Sequence, residues 1–179
     1  MKHAILAGIW LWLLLPSAAQ AGDGRSREVQ AGYGVFRADG EDVGRPYHLY
    51  GWDASLTHFY TPGLGLTARV SSGYGNVRYR EEIIGTAAYG FLIGPTFKRR
   101  RETFEPFVHA LFAGLLIRAD RGTYTATGLE FGAALGGGVD CRLTRGLALR
   151  MVQFDYLAVR AEGMTLHNFK LGAGLVLGF

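Results

Sequence analysis

Charged and amide side chains alternate with apolar residues in several segments of this chain. Successive side chains of a β-strand point to opposite faces, so residues at every second position share a face. Both signs of charge occur on these faces, which predicts a buried network of ion pairs where the faces meet in one interior. The predicted polar network consists of Asp53, Arg69, Glu130, Asp140, Gln153, Asp155 and Lys170.

Serine chemistry would need a histidine close enough to take the proton of the nucleophile. The histidines that follow the amino-terminal segment are His48, His58, His109 and His167. The residues two positions after them are Tyr50, Tyr60, Leu111 and Phe169, so no His-x-Ser pair occurs. Candidate nucleophiles remain at Ser55, Ser71 and Ser72, but the sequence places no histidine beside them. We therefore expect no catalytic residues.

Cofactor and metal chemistry find little support in the sequence. Residues 63–68 (GLGLTA) match the dinucleotide pattern G-x-G-x-x-A, but alternating strand sequence follows where that motif requires a helix. Cys141 is the one cysteine, so it forms no internal disulfide, and no Cys/His cluster has zinc spacing. On a strand face, His109 is expected to be a hydrogen-bonded interior residue. No cofactor and no metal site is predicted.

Composition favours a β-structure over other classes. Apolar residues make up 49% and charged residues 19%, which excludes a disordered chain. The 27 glycines among 179 residues weaken helices, and with 5 prolines and no glycine at every third position collagen is excluded. A barrel or a sandwich of strands remains.

The amino terminus resembles an export signal. Lys2 precedes a continuous apolar run at residues 4–15, and Ala19-Gln20-Ala21 matches the A-x-A cleavage pattern. The run is shorter than the ~20 residues of a spanning helix. We expect a signal peptide at 1–21 and a β-barrel at 22–179.

The last segment shows which way the alternation points. In residues 168–179 one face is apolar, whereas glycine, asparagine and lysine occupy most of the other face. This pattern predicts a small polar interior and an apolar, lipid-facing exterior. In a soluble lipocalin-like barrel, the rival fold, the bulky residues would face inward. The apolar face of this segment includes Phe169, Leu171, Leu175, Leu177 and Phe179.

Eight strands can be counted, beginning near residues 29–37. Short connections at 61–63, 99–103 and 144–146 alternate with longer polar ones at 38–45, 75–84, 119–126 and 160–166. This alternation predicts an all-β, eight-stranded antiparallel up-and-down transmembrane barrel with both termini at the periplasmic rim. The interior of such a barrel is filled by side chains. The basic run at 98–101 is expected to be a hydrated periplasmic turn, and no nucleic-acid partner is expected.

The chain resembles known outer-membrane proteins in two respects. Its final strand, ending in Phe179, resembles the signal that the barrel-assembly machinery recognises. Residues 51–56 (GWDASL), 63–68 (GLGLTA) and 150–156 (RMVQFDY) resemble OmpA-like outer-membrane barrel domains of Gram-negative bacteria. The resemblance implies an outer-membrane location, but we expect no peptidoglycan-binding domain after the barrel, so tethering to the cell wall is not implied. Lipid A deacylases are also eight-stranded barrels, and this chain lacks their His-x-Ser pair.

We expect a structural role, or a binding role carried by the outward loops. The alternatives are a narrow porin-like channel and, less favoured, a hydrolase that modifies lipid A. Outer-membrane lipids and lipopolysaccharide are the expected partners. The net charge of +4 supports contact between lipopolysaccharide phosphates and arginines near the outer rim. Those arginines are Arg45, Arg78, Arg80, Arg118, Arg121 and Arg160.

Overall fold

The computed structural model describes residues 25–38, 46–79, 82–120, 125–161 and 164–179. The expected signal peptide, residues 1–21, lies outside the described residues. Among the described residues, no helix is long and apolar enough to cross a membrane.

The described residues form eight antiparallel strands that close into a barrel. Each strand pairs with its neighbours in sequence, and β1 pairs with β8 to close the sheet. The predicted eight-stranded up-and-down barrel is thereby confirmed. The strands are β1 (Arg27–Ala38), β2 (Tyr47–Phe59), β3 (Leu64–Tyr79), β4 (Glu82–Lys98), β5 (Phe104–Asp120), β6 (Thr125–Arg142), β7 (Leu147–Ala161) and β8 (Met164–Gly178).

Large apolar side chains cover the outer face of the barrel. On β8, Leu171 and Leu175 are 50% and 52% exposed, whereas Lys170 is 5% exposed. On β6, Phe131 is 66% exposed and Asp140 is fully buried. The predicted direction of the alternation is confirmed, and it is the reverse of a soluble barrel, whose bulky side chains fill the centre.

The first described residues and the carboxyl terminus meet at one end of the barrel, which we name the terminal end. The backbone N–H groups of Ser26 and Arg27 donate to the Phe179 carbonyl oxygen at 3.1 and 2.9 Å. The turns at 60–63, 99–103 and 143–146 lie at the same end, in agreement with the three predicted short connections. We name the opposite end the distal end.

In two of these turns, a threonine hydroxyl accepts the same type of backbone hydrogen bond. The N–H of Leu64 donates to Thr61 Oγ1 at 3.0 Å, and the N–H of Leu147 donates to Thr144 Oγ1 at 3.1 Å. A threonine hydroxyl that accepts a backbone N–H three residues later stabilises a tight turn. The tight-turn chemistry expected at these positions is therefore present.

Strands at the distal end are longer than the sequence predicts. β3 continues to Tyr79 and β4 begins at Glu82, so most of the loop expected at 75–84 is paired strand. β5 and β6 similarly extend into 119–126, and β7 and β8 extend into 160–166. The prediction of long outward loops is wrong at these three places. The physical reason is that polar side chains occur at strand ends as readily as in loops.

Glycine permits close approach of neighbouring strands at two interior-facing positions. A Cβ on Gly94 would lie 2.1 Å from the Ala110 carbonyl oxygen, and one on Gly51 would lie 1.8 Å from that of Ser72. No side chain fits at such distances. Part of the high glycine content therefore reflects the tight curvature of a small barrel.

Candidate functional site

The barrel interior is divided into two zones of different chemistry. Charged and amide side chains fill the zone that runs from the terminal end to mid-barrel, which we name the polar plug. Apolar side chains line the distal zone, which we name the apolar chamber. The polar plug consists of Glu28, Asp53, Arg69, Lys98, Glu105, His109, Asp140, Arg150, Gln153, Asp155 and Lys170, all of them buried.

Lys98 ties three carboxylates together in the part of the polar plug nearest the terminal end. Its Nζ lies 2.6 Å from Glu28 Oε2, 2.8 Å from Asp140 Oδ2 and 3.4 Å from Glu105 Oε2. These partners come from β1, β6 and β5. One lysine at the end of β4 therefore joins strands from around the barrel wall.

Arginines supply the remaining positive charge around these carboxylates. Arg150 makes a bidentate contact with Asp140, from Nε to Oδ1 at 2.8 Å and from Nη2 to Oδ2 at 3.1 Å. Arg25 Nη2 donates to Glu105 Oε1 at 2.7 Å, and Arg142 also binds this oxygen. Buried carboxylates are tolerated when they are paired and hydrogen-bonded in this way.

Asp155 is the centre of the plug at mid-barrel. Arg69 Nη1 donates to its Oδ2 at 2.8 Å, and Gln153 Nε2 donates to the same oxygen at 2.6 Å. His109 Nε2 donates to Oδ1 at 2.7 Å, since a carboxylate accepts. Arg150 Nη1 donates to Gln153 Oε1 at 2.9 Å and so connects this cluster to the Lys98 cluster.

A further buried ion pair joins β2 and β8. Lys170 Nζ lies 2.5 Å from Asp53 Oδ1, and the ammonium group sits 5.0 Å from the ring centroid of Phe36. Lys170, Arg69 and Asp155 also border the apolar chamber. These three residues therefore form the boundary between the two zones.

The structure brings six of the seven predicted network residues into the polar plug. They are Asp53, Arg69, Asp140, Gln153, Asp155 and Lys170. Glu130 differs, because it is half-buried and lines the apolar chamber.

Lys98 and Arg150 are plug residues that the sequence analysis missed. The prediction of a hydrated turn at 98–101 is wrong for Lys98, which is 2% exposed and ends β4. Arg150 is turned inward by a register shift between Arg150 and Gln153, which leaves Met151 and Val152 both on the outer face. A strict period of two cannot reveal such a bulge.

Glu28 and Glu105 were missed because they lie near strand starts. Each is the second residue of its strand, where the alternating pattern has barely begun. Their spacing in the sequence could have revealed them. Glu28 and Gln30 on β1 are an even number of positions apart, as are Glu105 and His109 on β5, so each pair lies on one face.

The apolar chamber corrects the expectation of a wholly polar interior. Its cavity volume is about 100 Å³. Large apolar side chains from six strands line it. They are Phe36, Leu49, Leu92, Leu115, Ile117, Leu157, Val159 and Leu166.

The chamber also explains why apolar residues occupy both faces of β4 and β5. Leu92 on β4 and Leu115 and Ile117 on β5 point inward to the chamber, while Phe91 and Phe112 point outward. Both faces of these strands are therefore apolar. The inner face is apolar because it lines the chamber, and the outer face is apolar because it faces the bilayer.

Two of the candidate histidines have clear partners. His109 is held by Asp155 within the polar plug, as expected for an interior histidine. His167 Nδ1 lies 2.5 Å from the Tyr156 hydroxyl on the exposed face of β7 and β8. Neither arrangement includes a serine. Ser72, a candidate nucleophile, is buried on β3.

Comparison of the whole fold with known proteins identifies its class. No protein-family model matches the sequence, and no curated protein matches it. Neisserial surface protein A has a similar structure, with a TM-score of 0.73 and 13% identity over 86% of this chain and 97% of that one. The chain has the fold of the eight-stranded outer-membrane barrels.

Two proteins of Pseudomonas aeruginosa support the same assignment. The N-terminal β-barrel domain of OprF gives a TM-score of 0.64 at 15% identity, covering 87% of this chain and 98% of that one. The outer membrane protein OprG gives 0.61 at 8% identity, covering 87% and 97%. These similarities cover nearly the whole OprF domain and nearly the whole OprG chain, so the outer-membrane barrel is the fold of the described chain.

The outer-membrane fold accounts for the apolar outer face. Phe112 is 74% exposed, and Leu129 and Leu135 are each about two-thirds exposed. In water such a surface would favour aggregation. In a bilayer it matches the apolar band that surrounds transmembrane barrels.

Proposed function

We propose that this chain is an exported outer-membrane protein that conducts no solute, catalyses no reaction and acts as a binding protein at its distal end. Short turns face the periplasm in outer-membrane barrels, so the terminal end is assigned to the periplasmic side. The distal end then faces outward. The structural similarity to Neisserial surface protein A and to the outer membrane protein OprG supports this location.

The polar plug supports the proposal that the barrel conducts no solute. Arg69 of β3 reaches Asp155 of β7, and Lys98 of β4 reaches Glu28 of β1 and Asp140 of β6. These side chains span the lumen, whereas a water-filled channel requires a continuous opening. An eight-stranded barrel leaves an interior just wide enough for side chains.

Planar-bilayer recording tests the sealed interior. The wild-type barrel should give no discrete conductance steps. A variant with Arg69→Ala and Asp155→Ala, which shortens two side chains across the lumen, is the matched opened form. Discrete steps from the wild type at the frequency of this variant would favour the porin-like alternative and overturn the sealed barrel.

Lipopolysaccharide is the proposed partner at the distal end. Arg37, Arg118 and Arg160 are exposed near the distal ends of β1, β5 and β7. Guanidinium groups bind phosphate bidentately, and lipid A carries phosphates at the depth of the headgroups. Of the six arginines predicted for this role, Arg118 and Arg160 are exposed and Arg78 lies near the distal end of β3. Arg45, Arg80 and Arg121 lie outside the described residues.

Binding of purified lipopolysaccharide to the reconstituted barrel tests this partner. Alanine at Arg37, Arg118 and Arg160 should weaken binding at least tenfold. A control with alanine at Arg99, Arg101 and Arg145, three exposed arginines of the terminal turns, should bind like the wild type. Equal binding by both triple variants would exclude the distal arginines as the contact.

The absence of catalysis is tested by lipid A analysis. Overexpression of the wild type should leave the acylation pattern of lipid A unchanged in mass spectra. Geometry supports this expectation, because His109 is buried in the plug beside Asp155 and Arg69. A loss of acyl chains upon overexpression would instead favour the hydrolase.

A further inference from the structure

We propose that the apolar chamber is a binding site for one neutral, predominantly hydrocarbon molecule that enters from the distal end. This site is separate from the exposed arginines proposed to contact lipopolysaccharide, and it rests on the proposal that the distal end faces outward. The ligand class follows from three properties of the chamber, namely its lining, its small-residue wall and the charge balance of its floor.

The lining is hydrocarbon at positions where an eight-stranded barrel usually carries polar groups. Leu49, Leu92 and Val159 are buried on the inner face of three different strands. Leu115 and Ile117 extend this surface along β5. Ligand sites are concave and mostly apolar, with a few polar groups that orient the ligand. The chamber has this composition.

Small residues keep the chamber open between these side chains. Gly73 and Gly90 face it from neighbouring strands, and Ala88 and Ala134 face it from β4 and β6. Larger residues at the last two positions would fill the space. A cavity in an apolar core costs stability that larger side chains would recover. Retention of the cavity is therefore consistent with an occupant.

The floor of the chamber selects against a charged occupant. Arg69 is paired with Asp155 at 2.8 Å, and Lys170 is paired with Asp53 at 2.5 Å. An anionic head group would have to compete with these carboxylates. It would also share the chamber with Glu130. A neutral molecule avoids both costs and gains from burial of its apolar surface.

The occupant must be slender and must enter from outside. The polar plug closes the barrel below Lys170 and Arg69, so the floor offers no second opening. The interior of an eight-stranded barrel accommodates a single small ligand. One linear hydrocarbon chain with a neutral polar end fits these limits, and 1-octanol is a suitable probe.

Methyl NMR of the full barrel in phosphatidylcholine nanodiscs tests the site directly. Titration with 1-octanol should shift the methyl signals of Leu115 and Ile117 saturably. The outward-facing Leu171 and Leu175 report partitioning of octanol into the bilayer, so their signals should change linearly and slightly. Saturable shifts confined to the inner residues support the proposal. Equal, non-saturating shifts on both faces overturn it.

Adjacent residues on β4 provide a matched pair of variants. Ala88→Phe places a ring in the chamber and should weaken octanol binding at least tenfold. Ala87→Phe places the same ring on the outer face and should change the affinity less than twofold. Unchanged binding by the folded Ala88→Phe barrel overturns the assignment.

A second pair covers the case in which Ala88→Phe does not fold. Ala134 is buried and lines the chamber, while Ala133 beside it is exposed on the outer face. Ala134→Leu should weaken octanol binding severalfold, and Ala133→Leu should not. Folding of every variant is verified by its heat-modifiable migration on gels.

The neutral character of the ligand is tested with octanoate at pH 8. Octanoate should bind at least tenfold more weakly than octanol, and tighter binding would overturn the neutral class. Conductance separates this inference from the proposed function. A barrel that conducts and yet binds octanol saturably refutes the sealed interior alone, whereas a sealed barrel without saturable binding refutes the chamber alone.

Discussion

Arg69 on β3 and Asp155 on β7 are separated by 86 residues in sequence, yet they form a buried ion pair of 2.8 Å across the barrel interior. The strands that carry them are not neighbours in the sheet, so the pair connects opposite parts of the wall. Loss of one partner leaves a buried charge without its counterion, which is far more costly than loss of the pair.

Asp155→Asn should therefore lower the free energy of unfolding by about 3–5 kcal/mol. The double variant Arg69→Met with Asp155→Leu should recover much of this loss, because it removes both charges and keeps the volume. Guanidinium unfolding in phosphatidylcholine vesicles, followed by gel migration, measures both values. A double variant as unstable as the single one would show that packing, and not charge, is responsible.

Lys98 and Arg101 belong to the same basic run in sequence but should respond very differently to substitution. Lys98→Met leaves Glu28, Asp140 and Glu105 around a missing cation, so a loss of about 3–5 kcal/mol is expected. Arg101 is exposed in a turn, and Arg101→Met should change stability by no more than about 0.5 kcal/mol. The same unfolding assay compares the two, and equal effects would contradict the burial of Lys98.

Two glycine substitutions test whether glycine is required where neighbouring strands approach closely. A Cβ on Gly94 would collide with the Ala110 carbonyl oxygen, whereas one on Gly85 has no atom within 4 Å. Gly94→Ala should reduce the yield of folded barrel sharply, and Gly85→Ala should be neutral or slightly stabilising because alanine restricts the unfolded chain. Heat-modifiable migration after refolding measures the yield. Efficient folding of Gly94→Ala would show that β4 and β5 can separate locally.

The alternating pattern was sufficient to predict the strand number, the closed topology and the direction in which side chains point. These features depend on local parity, since one face of each strand meets lipid and the other the interior. On β8 and β2 the parity is almost unbroken, and Asp53 and Lys170 were assigned from it. Their contact follows once the barrel is closed, because β2 and β8 both pair with β1.

Features that depend on more than parity were not predictable. The bulge before Gln153 reverses the phase of β7, and so it hid Arg150 from the analysis. The inner face of β4 and β5 could not be distinguished from the outer face in the sequence, because the apolar chamber and the lipid require the same residue types. The extent of the distal strands was also missed, since polar residues continue the pairing of β3 and β4 as well as they form a loop.

The carboxyl-terminal residue gives a last prediction, which concerns assembly in the cell. Phe179 is 55% exposed at the terminal end, and its backbone already receives hydrogen bonds from Ser26 and Arg27. Phe179→Ala removes the ring but keeps those bonds, so stability of the refolded barrel should change little. If the ring is the assembly signal, the amount of folded protein in the outer-membrane fraction should fall severalfold.

Phe104→Ala is the matched control, because Phe104 is similarly exposed, at 51%, near the same end of the barrel. It removes an equal apolar surface without touching the final strand, so its level in the membrane should stay near that of the wild type. Equal losses for both variants would mean that anchoring of aromatic rings in the interface, and not recognition of the last strand, determines the amount of folded protein.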